Sequence, residues 1–135
     1  MRDKDDSILL SYLAGYLEAD GWVTCYATRA GYFMNLGLEG NEKKIVFMLQ
    51  KIFGGKISIR KARGKISKRS SYRWNCYGKE ASEALKKLFP YFNSDYKRKR
   101  FRMSYEFWVN PEKREFILKR LRQMSIKQKE DVIIL

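Results

Sequence analysis

The stretch from Leu13 to Gly21 constrains this chain more than any other, because it reads as an apolar helix that closes on two acids and a glycine. Gly21 is well placed to stop the helix, since glycine enters the left-handed conformation without steric penalty. Asp20 then sits at the negative end of the helix macrodipole, a poor place for a carboxylate unless a cation shares the site. Ser11, Gly15 and Ala19 recur every fourth residue and so share one helix face. Small side chains in that arrangement let a second helix backbone approach closely. The segment itself is too short and too acidic to span a membrane.

The rest of the chain makes a polyanion the natural partner. Its 135 residues predict a single domain over residues 1–135, and they carry a formal charge of +14. Such a balance points to nucleic acid. There is no histidine, which excludes His-based catalysis and the usual His-containing zinc sites. Cys25 and Cys76 are too far apart to suggest a metal cluster and read as buried, reduced strand residues. With no signal peptide or spanning segment in view, an intracellular location is expected.

Helix and strand periods alternate along the chain. A first helix is predicted from about Ser7 to Asp20, after a run of acids that favours a helix start. From Trp22 to Arg29, Val23, Cys25 and Ala27 alternate with Trp22, Thr24, Tyr26 and Thr28. After the Ala30-Gly31 turn, Tyr32, Met34, Leu36 and Leu38 alternate with Phe33, Asn35 and Gly37. Asn41 reads as the N-cap of a second helix whose stripe is Ile45, Met48, Leu49 and Ile52, stopping at Gly54-Gly55. Gly54 to Lys79 is basic and acid-free, with two alternating strands joined by a loop near Arg63 to Ser70. A charge run is most often a solvated face; the alternation and the lack of acids favour nucleic-acid contact.

A third helix is predicted from Lys79 to Phe89, with Ala81, Ala84, Leu85, Leu88 and Phe89 inward and Pro90 ending it. Beyond Lys97-Arg98-Lys99-Arg100, another helix turns Phe101, Ser104, Tyr105 and Trp108 to one side. Asn110-Pro111 opens a last helix, to about Met124, with Phe116, Ile117, Leu121 and Met124 packed on the domain. The tail from Ser125 to Leu135 has no evident assignment. The fold class is therefore α+β: an αββαββα core with extra C-terminal helices, its four-stranded antiparallel sheet covered by helices on one face. The open face carries Thr, Tyr, Asn, Ser, Lys and Arg, a surface suited to the DNA major groove.

Leu13 to Gly21 resembles the motif that names the LAGLIDADG homing endonucleases; six of its nine positions match that name letter for letter, and Tyr16, Leu17 and Glu18 replace Leu, Ile and Asp. The resemblance covers roughly residues 8 to 108 and implies a curved, saddle-shaped DNA-binding sheet. One motif in a short chain implies a homodimer paired through Ser11, Gly15 and Ala19, reading a pseudo-palindromic double-stranded DNA site of about 10 bp per half. Asp20 is then the metal ligand, with the Ala19 carbonyl as a further one, and Mg²⁺ is the expected ion. Mn²⁺ should substitute, and Ca²⁺ should support binding without cleavage.

By the same resemblance, Lys97, following Pro90-Tyr91-Phe92, stands near the scissile phosphate, and Glu39 at the end of the second strand orients water. The base readers are Thr24, Tyr26, Thr28, Asn35, Lys56, Ser58, Arg60, Ser71, Arg73 and Asn75. Arg60 and Arg73 are suited to guanine, while Arg63 and Lys65 on the loop are suited to phosphates. The implied activity is Mg²⁺-dependent hydrolysis of both DNA strands by a nuclease encoded in an intron or intein. Two alternatives are an RNA maturase that assists intron splicing and a basic structural RNA-binding protein. Asp20 favours the nuclease, whereas Trp22 and Tyr26 are of the kind that stacks on RNA bases.

Overall fold

A computed structural model describes the backbone of residues 2–60 and 70–134 and the side chains of residues 6–60 and 70–126. Arg63 and Lys65, with most of the basic loop, lie outside the described residues. Helix α1 (Arg2–Asp20) leads into the antiparallel hairpin β1 (Gly21–Thr28) and β2 (Gly31–Gly40), then helix α2 (Lys43–Phe53). Strands β3 (Lys56–Arg60) and β4 (Ser71–Tyr77) follow, then α3 (Gly78–Leu88), α4 (Asp95–Val109) and α5 (Arg114–Ile134). Single 3₁₀ turns at Phe89–Tyr91 and Pro111–Lys113 connect the last helices. The sheet order is β1-β2-β4-β3; all three pairings are antiparallel, as the αββαββα reading expects.

Strand alternation divides the sheet into two faces. Val23, Met34, Leu36, Leu38, Trp74 and Cys76 point into the helical layer and are buried. Leu13 and Leu17 of α1, Val46 and Leu49 of α2, Leu85 and Leu88 of α3 and Phe101 and Phe107 of α4 complete one core. Both cysteines are free, as expected, and lie on strands; Cys76 is buried and Cys25 half-buried. The helices do not cover the whole sheet. Ile59, on the core side of the edge strand β3, is exposed.

Several local expectations are corrected. Gly21 does not take a left-handed conformation; among the described residues, positive φ occurs only at Gly31, Gly54, Gly55 and Gly78. Its glycine is needed for space, because a Cβ there would stand 2.6 Å from the Leu17 carbonyl oxygen and 2.9 Å from the Leu17 Cα. The chain passes directly from helix to strand, and only a hydrogen fits against the last turn.

The N-cap of α2 is Glu42 rather than Asn41, with no side-chain capping bond. Its buried face is Ile45, Val46, Leu49 and Phe53, so Met48 and Ile52 lie at the margin. At its other end Gly54, at φ +80°, closes the helix and accepts a bond from the Trp74 indole at 2.8 Å.

In α4 the innermost residues are Phe101, Ser104 and Phe107, with Tyr105 and Trp108 half-buried. Phe116 is exposed instead of packed, since α5 docks through Ile117 and Leu121, one helical turn apart. Arg114 ties the two helices together, donating to the Phe107 and Trp108 carbonyls at 3.0 Å each. A cation at the negative end of α4 is favourable there. Helix α5 also continues through Ile134, beyond the expected end at Met124.

Candidate functional site

The C-terminal end of α1 divides its two acids between different tasks. The Glu18 carboxylate accepts hydrogen bonds from the backbone N–H of Asn93, at 2.6 Å, and of Ser94. That turn is the start of α4: the Ser94 hydroxyl accepts from Lys97 N at 3.4 Å, and the Ser94 carbonyl from Arg98 N at 2.8 Å. The residues between Phe92 and Lys97 are thus used to build this cap against Glu18. A second link, Tyr91 Oη donating to Ser7 Oγ at 3.2 Å, fastens the preceding turn to the same helix.

Asp20 remains exposed at the helix end, together with Ala19. Helix α4 brings a cation close to this end. Lys97 Nζ donates to the Gly21 carbonyl at 2.8 Å and lies 5.9 Å from the centre of the Phe101 ring. Partial burial, then the nearby Arg100, push the Lys97 ammonium below the usual lysine range, while Asp20 pulls the other way. Two predicted site residues 77 positions apart in sequence, Asp20 and Lys97, are therefore brought into one electrostatic environment.

Glu39 lies elsewhere in its contacts. The register Gly21↔Leu38 puts it one step past the start of β1, but on the open face of the sheet, directly opposite Arg73. Its Oε2 accepts from Arg73 Nη2 at 3.2 Å; its Oε1 faces Arg60 Nε at 3.6 Å and accepts from Ser71 Oγ at 3.4 Å. The Arg73 guanidinium also lies 5.6 Å from the centre of the Trp22 ring. Thus Arg60, Ser71 and Arg73, all expected base readers, converge on one carboxylate.

The other expected readers share the same face. Lys56, Ser58, Arg60, Thr24 and Thr28 are exposed; Ser71, Arg73, Asn75 and Asn35 are half-buried. The Asn35 side-chain oxygen is buried without a hydrogen-bond partner. Tyr26 and Phe33 lie opposite each other and stack at 5.4 Å, 40% and 37% exposed. Phe33 was not singled out from sequence, although its place opposite Tyr26 follows from a short hairpin.

On α1, Ser11, Gly15 and Ala19 are all exposed, and a Cβ at Gly15 would meet nothing within 4 Å. The stripe is longer than the small residues alone. Ile8 and Tyr12 continue it at helical spacing and are 64% and 50% exposed. Their spacing from Gly15 and Ala19 was the available sequence signal.

The donor set at the end of α1 is carboxylate and main-chain oxygen, the chemistry of a hard divalent cation. Among the described residues there is no group of three or more His, Cys, Asp or Glu side chains able to hold a metal. No helix among the described residues is long and apolar enough to cross a membrane.

No protein-family model and no curated protein matches this chain. Solved structures do. The homing endonuclease I-CvuI, in complex with its target in the presence of Ca, is 20% identical with a TM-score of 0.58, over 91% of this chain and 81% of that one. The archaeal intron-encoded homing endonuclease I-Vdi141I, complexed with DNA, is 18% identical with a TM-score of 0.51, over 93% of this chain and 84% of that one. The LAGLIDADG meganuclease I-AabMI, bound to uncleaved DNA, is 15% identical with a TM-score of 0.58; the match covers 85% of this chain and 42% of that one.

Proposed function

We propose that this chain, which has the fold of the LAGLIDADG homing endonucleases, is a site-specific DNA endonuclease that acts as a homodimer. The observation that carries the reading is geometric: at the end of the motif helix Asp20 is exposed, Lys97 reaches the next residue by donating to the Gly21 carbonyl, and Glu18 fastens the start of α4 to the same helix end. Two copies joined along Ile8, Tyr12, Gly15 and Ala19 place both α1 ends at a common two-fold axis, one for each DNA strand. The match to about two-fifths of I-AabMI supports the same arrangement, in which one copy of this fold is part of a larger unit.

In this reading Asp20 and the Ala19 main-chain oxygen hold a divalent cation, with Mg²⁺ the best fit and Mn²⁺ able to replace it. Bound there, the cation supplies the positive charge that favours ionisation of an attacking water and offsets charge on the phosphate. Lys97 adds a second positive charge beside the scissile phosphate, and its bond to the Gly21 carbonyl aims the ammonium. The open sheet face lies in the major groove, with Lys56, Ser58, Asn75, Thr24 and Thr28 as further base or backbone contacts. Arg63 and Lys65 contribute phosphate contacts, and the two half-sites together form a pseudo-palindrome. Such an enzyme is encoded by a mobile intron or intein.

The test is to incubate the protein with a randomised duplex library and Mg²⁺ and to sequence the products. A recurring two-fold-related cut site is expected, and its absence with both Mg²⁺ and Mn²⁺ defeats the nuclease reading. The exposed Tyr26–Phe33 stack favours a second reading, a maturase that binds intron RNA, because paired rings are platforms for unstacked bases. Binding of intron RNA tighter than duplex DNA, lost in Y26A, supports that alternative.

A further inference from the structure

Among the described residues, Glu39 is the only acid in the four strands. On a face that binds a polyanion, a carboxylate lowers affinity, because it repels phosphate and neutralises cations that would otherwise meet it. Its contacts indicate what it contributes instead. Glu39 holds Arg73 through Nη2 and faces Arg60 through Nε, while Ser71 donates to the oxygen that faces Arg60. Trp22 restrains Arg73 from another side. The Arg73 Nε is buried without a partner, so this fork is held through its terminal nitrogen and the Trp22 ring.

Each guanidinium has five N–H donors in a planar fork. The ion pair at Arg60 Nε, 3.6 Å long, leaves its two terminal nitrogens available. Holding Arg73 by one N–H of Nη2 leaves the other N–H and Nη1 available. A pair of parallel N–H groups is what bidentate recognition of guanine O6 and N7 requires. The two arginines are also close on the sheet, since Arg73 pairs with Ser58 and Arg60 with Ser71 on the neighbouring strand.

We propose that Glu39 is a specificity-determining positioning residue, which orients the Arg60 and Arg73 forks toward guanines at two nearby positions of each half-site and keeps both from drifting to phosphates. This rests on the DNA-binding reading above, and it gives Glu39 a role at the base edges instead of at the attacking water. An unrestrained arginine finds phosphates on any sequence; a restrained one is rewarded only where guanine meets it. The carboxylate thus exchanges general affinity for discrimination.

The experiment uses full-length wild type, E39Q, E39A and E39D in Ca²⁺ buffer. Each is used to select duplexes from a randomised pool, and each is titrated with a duplex lacking the selected site at several salt concentrations. Wild type is expected to select guanine at two positions per half-site. E39Q, isosteric but uncharged, should lose about tenfold of that preference, at those positions alone. It should also bind the unrelated duplex more tightly, with a salt dependence steeper by about one phosphate contact or more. E39A should follow E39Q, and E39D, which keeps the charge, should recover part of the preference.

Unchanged base preferences and salt slopes in both E39Q and E39A, with only cleavage slowed in Mg²⁺, overturn the proposal and return Glu39 to the cut site. Loss of preference at every position alike also overturns it, because that is the mark of a disturbed sheet. If wild type selects no duplex sequence at all, the DNA reading itself fails and takes this proposal with it. Selection by wild type with indifference to Glu39 defeats this proposal alone.

Discussion

Lys97 on α4 reaches the main chain just after Asp20, donating its ammonium to the Gly21 carbonyl at 2.8 Å. One hydrogen bond thereby ties the catalytic candidate of the fourth helix to the junction of the first helix and first strand. The expected consequence is a cleavage rate that depends on the protonated lysine. Burial and Arg100 lower the Lys97 pKa from the usual 10.5. The ammonium is therefore lost as pH rises through a value below 10.5, and the Mg²⁺-dependent rate should fall on that alkaline side. K97R, which stays charged throughout, should abolish this limb even if its maximal rate is lower. K97M should cut on the order of 10²-fold more slowly at every pH. A K97R profile with the same alkaline fall would assign the titration to another group.

Asp20→Asn should separate binding from cutting. The amide keeps the size of the carboxylate but not its charge, and Mg²⁺ prefers charged oxygens. Because Asp20 is exposed, folding should be unaffected, and DNA affinity in Ca²⁺ or metal-free buffer should persist. Parallel cleavage and binding assays on one duplex check this. Near-normal cutting by the variant rules out Asp20 as the metal ligand.

Gly15→Leu should weaken the dimer without destabilising the protomer. A Cβ at this position meets nothing within 4 Å, and this face of α1 is exposed, so a leucine should clash with a second copy rather than with its own core, at about 1–3 kcal/mol or more. Sedimentation at micromolar concentration, beside thermal melting of dilute protein, reads the two effects separately. A dimer of unchanged strength places the interface elsewhere.

Gly21→Ala should destabilise the protomer itself. The added methyl stands 2.6 Å from the Leu17 carbonyl oxygen and 2.9 Å from its Cα. Those backbone atoms yield only if the helix end moves, so a loss of about 1–3 kcal/mol is expected. Denaturant unfolding measures it; a midpoint equal to wild type would falsify the steric account. The same shift should also disturb the Lys97 bond to Gly21 and slow cleavage.

Cys76 should resist alkylation in the folded protein. Burial, then Glu80, pushes its thiol up to about 12, and burial pushes that of Cys25 to about 11. The reactive species is the thiolate, so iodoacetamide at pH 8 should label both far more slowly than in the unfolded chain. Rapid labelling of Cys76 under native conditions, followed by mass spectrometry, would contradict its burial against the α2 end.

What the sequence determined by itself was the local pattern: a helix carrying the motif, two hairpins with one apolar face each, and helices that cover that face. Those features rest on 3.6- and 2-residue periods, which any short window of the chain displays. The resemblance singled out Asp20 and Lys97, which the fold brings to one helix end, and helical spacing gave the exposed stripe of Ser11, Gly15 and Ala19. The helix stripes were less exact, as Phe107 and Phe116 show, because a face of neighbouring candidates is chosen by what packs against it. Only the tertiary structure decided that Glu18 holds the α4 cap while Asp20 is left exposed, that Gly21 is a glycine for lack of space, and that Glu39 collects Arg60, Ser71 and Arg73. Each of these depends on strand register or on how closely one helix approaches another segment. Such distances join residues far apart in the chain, and no local period encodes them.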